Sequence, residues 1–321
     1  MNKIDRREML RLAGLGATLA ALPRVATAGP GLPPARTLTN ATRYRIGVGD
    51  FEATVFVTGF MDGTPAQPFV APEATAQEFG EAFAAASSNG HFRLPFPVLL
   101  LQRGRDNILI DTGPGGKAAP EFDLSAHLAQ AGLAPGDITA VLLTHAHFDH
   151  LGGLLDEHDR PVFTAAEYFC TAEEIDFWMA PKPDLSRMLF KPAPFIASAR
   201  RVFEHVPFTR IKPDTKLPDG LTPVLAPGHT PGHMTVRIES RDETLHHIAD
   251  LTHYARLMLP HPEWTIGSDV DPRQAAASRR SLCARLAADR TRIFGSHLPF
   301  PGLGALHVRG AGFEWVPEDW V

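Results

Sequence analysis

The sequence predicts one α/β domain containing two β-sheets. Three observations carry that prediction. Short apolar runs suited to strands recur in both halves of the chain, with few long helices between them. The clearest amphipathic helix, Asp271 to Asp289, lies near the end. Between them, several strand-like runs finish directly on His or Asp. At 321 residues, 44% hydrophobic and 21% charged, the chain has an ordinary globular composition, with no repeat and no linker to divide it.

Taken in order, residues 1 to 28 read as a leader and not as part of the fold. Arg6-Arg7 precede an apolar run from Leu12 to Leu22 and then Ala26-Thr27-Ala28, the pattern of a twin-arginine export signal with a small-residue cleavage site. The run is about half of what spans a bilayer, so no stable membrane anchor is expected once it is cut, and the mature protein, 29–321, is expected in the periplasm. Its removal takes away five basic and two acidic residues, moving the net charge from −5 to −8. Such a surface repels nucleic acid, and no basic stripe counters it. Cys170 and Cys283 are the only cysteines, and the sequence is compatible with one disulfide or with two buried thiols.

After a Pro-rich lead-in over 29 to 42, Tyr44–Val48 and Phe51–Val57 predict a hairpin about Gly49-Asp50. Gly59 to Ala74 reads as a long loop and Thr75 to Ala86 as a helix with Phe79 and Phe83 on one face. Phe96–Leu101 and Asn107–Ile110 predict a second hairpin, ending in Asp111-Thr112-Gly113. A helix at Leu124–Ala131, a turn at Pro135-Gly136-Asp137 and a buried strand at Ala140–Leu143 follow. Pro161–Thr164 reads as a short strand, Ala165–Met179 as a helix, and Pro181–Pro194, with its prolines, as a covering loop. Strands are expected at Val206–Ile211, Thr222–Leu225, Thr235–Ile238, Leu245–Ile248, Thr291–Phe294 and Ala305–Val308.

The chemistry gathers after Leu143, in Thr144-His145-Ala146-His147-Phe148-Asp149-His150-Leu151-Gly152-Gly153. Three imidazoles and a carboxylate leaving one strand end have no packing role and match the ligands of Zn or a similar divalent ion. Three further turns repeat the device: His229 in Ala226-Pro227-Gly228-His229-Thr230-Pro231-Gly232-His233, Asp250 after Ile248-Ala249, and His297 after Gly295-Ser296. His145, His147, Asp149, His150, His229, Asp250 and His297 are seven donors, too many for one tetrahedral ion. Two ions sharing a carboxylate use them all and leave room for water, roughly 3.5–4 Å apart in such clamps.

The ordered set Asp111-Thr112-Gly113, His145-x-His147-x-Asp149-His150, His229, Asp250 and His297 resembles the metallo-β-lactamase superfamily across the mature chain. Within it, Tyr44-Arg45, Gly49-Asp50-Phe51-Glu52, Asp176-Phe177-Trp178 and His297-Leu298-Pro299-Phe300-Pro301-Gly302-Leu303-Gly304 are similar to methyl parathion hydrolase and lactonase-like relatives. The resemblance implies an αβ/βα sandwich, two mixed sheets flanked by helices, with the metals at one edge. It implies His145, His147 and His229 on one metal, Asp149, His150 and His297 on the other, and Asp250 bridging. Asp111 would orient a ligand imidazole, with His233 in a supporting place. The bridging Asp250 argues against β-lactam hydrolysis. Phe148 stands where those relatives often carry Pro, and Ala249 where they carry Gly; neither removes a ligand. A homodimer is compatible with the resemblance.

The expected activity is hydrolysis of an ester, lactone or phosphotriester in a small-molecule substrate. A bridging hydroxide is the expected nucleophile, with Asp149 and Asp250 as the carboxylates at the reacting centre. No Gly-x-Ser-x-Gly elbow offers a side-chain nucleophile. Zn is the first choice of metal, with Co, Mn or Fe also accepted by N/O sites. Phe177, Trp178 and Phe190 are expected to line an apolar pocket, and His253 to face it or the surface. The other histidines, 91, 127, 158, 205, 246, 247, 261 and 307, are expected at the surface or in caps. The alternatives are an iron-dependent, oxygen-using member of the same superfamily, or a non-catalytic metal-binding protein. The first would not need His150 and His297 as ligands, and the second fits poorly with an open site.

Overall fold

The computed structural model describes residues 42–62, 66–87, 90–116 and 122–319. The expected leader and the lead-in to residue 41 lie outside the described residues. A seven-stranded sheet runs in the order β1 to β7: Arg43–Val48, Phe51–Asp62, Arg93–Arg103, Asp106–Ile110, Ala140–Leu142, Glu167–Thr171 and Phe208–Ile211. Its first four strands are antiparallel neighbours and its last three are parallel additions. A six-stranded sheet holds β8 Leu221–Leu225, β9 Met234–Ser240, β10 Glu243–His247, β11 Arg292–Phe294, β12 Leu303–Arg309 and β13 Gly312–Pro317, in the order β13-β12-β11-β10-β9-β8. Only β10 and β11 pair in parallel there.

Strand alternation explains the layers, because successive side chains point to opposite faces. Along the first sheet Leu99, Leu101, Ile108, Ile110 and Leu142 join Val236, Ile238 and Leu245 of the second in one core between the sheets. Their neighbours Val98, Leu100, Leu109 and Val141 face the opposite way, into the core under the helices α1 Ala76–Ala86, α2 Leu124–Gln130, α4 Ala172–Met179 and α5 Pro192–His205. The one-turn α3, Phe148–Leu151, carries the end of the His cluster, and α6 is Ala255–Met258. On the far side α7, Pro272–Ala288, covers the second sheet through Leu282, Cys283 and Leu286 against Ile293 and Leu306. This is the expected two-sheet sandwich with helices on both outer faces.

Several expectations need correction. Ala165–Met179 is not one helix: Glu167–Thr171 is a strand, and Thr171 caps a shorter helix by accepting from the Glu174 amide. A strand buried on both faces is continuously apolar, and over five residues periodicity does not separate it from a helix. Pro161–Thr164 supplies only an isolated bridge from Leu155 to Pro161. The loop expected from Gly59 is strand to Asp62, with a register shift between Val57 and Phe60. The covering loop ends at Lys191, since Pro192 opens a 14-residue helix in the first-turn place that needs no amide. The terminal strand Gly312–Pro317 was not anticipated. Cys170 and Cys283 are free, buried in different cores. His127, His246 and His247 are buried, not superficial.

Candidate metal centre

The strand ends meet at one edge of the sandwich. β4 stops at Ile110 and places Asp111; β5 stops at Leu142 and leads to His145; β10 leads to Asp250 and β11 to His297. The turn before β9 carries His229 and His233. The Gly pair after the cluster has a steric purpose. A Cβ on Gly152 would lie 2.0 Å from the Pro114 carbonyl oxygen, and one on Gly153 would lie 2.4 Å from that of Thr112. The His loop therefore sits directly on the Asp111 loop.

All seven expected donors come together. His145, His147, His229 and Asp250 form one group, and Asp149, His150 and His297 another. Asp250 joins them: its Oδ2 lies 3.2 Å from His229 Nε2 and 3.6 Å from His145 Nε2, and its Oδ1 lies 3.1 Å from His150 Nε2. His297 Nε2 is 3.1 Å from Asp250 Oδ2 and 3.5 Å from Asp149 Oδ2, while His147 Nδ1 is 2.9 Å from His229 Nε2. Metal–ligand bonds of about 2.0–2.1 Å put tetrahedral donors about 3.3 Å apart, the middle of this range. Buried polar atoms are nearly always paired, yet His145 Nε2, His150 Nε2 and Asp250 Oδ1 have no hydrogen-bond partner. The donor set fits a pair of divalent ions.

The electrostatics divide the imidazoles. Burial opposes charge on His150 and His229, but the neighbouring carboxylates outweigh it: Asp250 and Asp111 raise His150 well above its usual value, and Asp250 and Asp269 raise His229 to about 9. Burial, then the charge of His150, pushes His145 far down; burial, then that of His229, does so for His147, leaving both rings neutral with free lone pairs. Burial also opposes ionisation of Asp250 and Asp149, but the surrounding imidazoles outweigh it, holding Asp250 well below the carboxylate range and Asp149 at about 2. So many imidazoles and carboxylates in a dry space are expensive without compensating cations.

Around the donors, Asp111 Oδ2 meets His150 Nδ1 at 2.7 Å, and its carboxylate also accepts from the Thr144 amide and hydroxyl. His233 spans the Ala226 carbonyl and the Asp250 amide, holding the shared carboxylate's backbone. His253 is inside the centre, its Nε2 3.0 Å from Asp250 Oδ2 and its ring stacked on His297. It can form a third donor group with Asp250 and His297.

A cleft opens above the donors, walled by Met61, Phe69, Leu94, Phe96, Phe190 and Phe195. Phe190 is there as expected. Phe177 and Trp178 are not: Trp178 is completely buried and donates to Glu174, and Phe177 packs on its ring. Trp178 faces into the helix–sheet core, and the partly buried Phe177 packs against that core. Sequence reasoning missed Asp269, Glu174 and Arg279. Asp269 Oδ1 meets His229 Nδ1 at 2.8 Å. The buried Arg279 donates to the carbonyls of Leu251, Pro262 and Trp264, fastening the segment between Asp250 and Asp269. Thr171-x-x-Glu174 carries a local signal, a capping pattern, but the carboxylate turns inward instead of capping.

With this fold and these donors on a shared sheet edge, the chain belongs to the metallo-beta-lactamase superfamily, whose family model matches residues 97–297. Among solved structures it resembles AidC, a dizinc quorum-quenching lactonase in complex with an N-acyl-homoserine product. The identity is 31%, with 87% of this chain and 98% of that one covered and a TM-score of 0.78. It shares its fold with AbOPH, a hydrolase of the beta lactamase superfamily, at 24% identity, 88% and 100% coverage and a TM-score of 0.78. A probable metallo-hydrolase of Mycobacterium tuberculosis is 26% identical over 178 residues. That match takes in 48% of this chain and 55% of the relative, so the chain spans just over half the length of that curated relative. The chain thus belongs to that superfamily and carries a His/Asp cluster able to bind metal ions.

Proposed function

We propose that this protein is a dinuclear metal hydrolase that opens a lactone or ester bearing an apolar acyl or aryl group. The observation that carries the reading is Asp250, whose carboxylate lies within hydrogen-bonding or ion-pairing distance of imidazoles from both donor groups at the floor of an apolar cleft. His145, His147 and His229 with Asp250 would hold one ion, and Asp149, His150 and His297 with Asp250 the other. Ions bound there supply Lewis acidity for a carbonyl oxygen and bring the pKa of a bound water toward neutrality.

The rest of the work belongs to the chain. Asp111 and Asp269 hold the rings of His150 and His229 in place. The Phe and Met walls take up the apolar part of the substrate and exclude water. Asp149, on the cleft wall, is the carboxylate at hand to accept and pass on a proton. His253 lines the same cleft and places its Nε2 beside the Asp250 carboxylate, helping to hold that side chain. The likeness to AidC favours lactones, with zinc as the first metal to try.

The test is a panel of N-acyl-homoserine lactones, aryl esters and methyl parathion, assayed with the metal-reconstituted protein. Two colourless ions per chain and turnover that rises with acyl length are expected. One coloured iron per chain, or no turnover of any lactone or ester, would overturn the reading. Periplasmic export is a separate proposal resting on Arg6-Arg7: a fusion of residues 1 to 40 to a reporter should lose export in the Arg6→Lys, Arg7→Lys double variant.

A further inference from the structure

We propose that Glu174 is a positioning residue for one of the two metal sites and not the other, an inference that rests on the dinuclear reading. Its side chain is completely buried, and none of the hydrogen bonds it accepts comes from a donor atom of the centre. It accepts four hydrogen bonds. Oε1 takes the Ala146 amide at 2.8 Å and the Trp178 indole N–H at 2.7 Å; Oε2 takes the Thr230 hydroxyl at 2.6 Å and the Gly232 amide at 3.0 Å.

The sequence positions of those donors matter. Ala146 lies between His145 and His147, and Thr230 directly follows His229. One carboxylate therefore ties together the two separate loops that carry the three imidazoles of the first donor group. Trp178, held by the same oxygen, stands edge-on to the His147 ring at 6.0 Å between centroids. The turn is pressed close: a Cβ on Gly232 would lie 2.2 Å from the Glu174 amide nitrogen, and Thr171 donates to the Gly232 carbonyl at 2.7 Å. The other donor group is supported from elsewhere, His150 by Asp111 and His297 by the Pro95 carbonyl.

Two oxygens with two donors each leave no place for an amide NH2. Glu174→Gln must turn its NH2 toward the Ala146 and Trp178 donors or toward the Thr230 and Gly232 donors. Either way one of the two loops loses its anchor. Outer partners of this kind typically carry a 10–100-fold effect on metal affinity.

The experiment is zinc and cobalt(II) stoichiometry of the full-length protein across a chelator series, with the metal-free melting temperature measured alongside. Glu174→Gln should fall to one ion per chain at a chelator concentration at least tenfold below that at which the parent does. The second ion should keep its affinity. Thr230→Val, which removes one of the four donors, should show the same selectivity more mildly and serves if Glu174→Gln does not fold. Phe163→Leu, a buried core change away from the centre, should lower the melting temperature and keep both ions. Loss of both ions together, or of neither, in folded Glu174→Gln or Thr230→Val would overturn the proposal. A parent that never binds two ions would instead overturn the dinuclear reading beneath it.

Discussion

Replacing Asp269 by Asn probes how the first donor group is held. Asp269 uses both oxygens: Oδ1 meets His229 Nδ1 at 2.8 Å, and Oδ2 accepts from the Ile266 amide at 3.1 Å. Metal binding through His229 Nε2 needs the ring proton on Nδ1, where Oδ1 receives it. An Asn side chain offers one acceptor where two are used. If its oxygen faces His229, its NH2 confronts the Ile266 N–H, and a buried donor goes unpaired at a cost of about 1–3 kcal/mol in stability. If its oxygen faces Ile266, its NH2 confronts Nδ1 and drives the ring proton to Nε2, the nitrogen aimed at Asp250. The loss then appears as metal affinity, about 10–100-fold or about 1.4–2.7 kcal/mol. Denaturant unfolding of the metal-free protein reads the first cost, and chelator competition the second. At least one should move by about 1 kcal/mol or more. If both stay within about 0.5 kcal/mol of the parent, the Asp269–His229 contact does not set the ring's tautomer and the argument fails.

Other consequences are as direct. Chelation should lower the melting temperature, because bound ions at a hundredfold excess over Kd contribute about 2.7 kcal/mol; an unchanged melting curve would remove the metal from the stability account. Gly152→Ala should destabilise by about 1–3 kcal/mol through the 2.0 Å clash with the Pro114 carbonyl, whereas Gly80→Ala, exposed in α1 with open space around it, should stabilise by about 0.8–1 kcal/mol. Equal effects in denaturant melts would refute the packing argument. Burial raises the Tyr168 hydroxyl to about 12 against its bond to the Phe163 carbonyl, so the folded state keeps a proton the unfolded chain loses. Its contribution is therefore complete below pH 10 and lost as the pH rises toward 12, about 2 kcal/mol in all. Tyr168→Phe should flatten that alkaline slope, and an identical slope in the variant would exclude Tyr168 as its source.

The metal centre was legible because its residue types have few other uses. Three imidazoles within six residues, and single His or Asp residues after apolar runs, announce ligands before any fold is known. The supporting residues were not legible for the same reason. Asp269 lies in a turn with no flanking strand, and Glu174 falls in a pattern that local capping already explains. The cleft was half legible: Phe190 lines it, but Trp178, the most conspicuous aromatic in the sequence, belongs to the core. Aromatic residues serve packing and binding alike, and only their direction separates the two roles.

By itself, the sequence determined the kind of chemistry available and the family that houses it. Donor type and spacing are local properties, and strand periodicity is written in short windows. Which oxygen of Asp250 faces which imidazole, which carboxylate stands behind each ring, and where the helix after Thr171 begins were decided only by the tertiary structure. The Asp250 contacts to His229, His297 and His145 join residues 21, 47 and 105 positions apart, those of Asp111 and Asp269 to their rings 39 and 40, and their partners are chosen by how two sheets stack. Long-range juxtaposition leaves no periodic trace in the chain, because the energy that enforces it comes from the shared core and not from neighbouring residues.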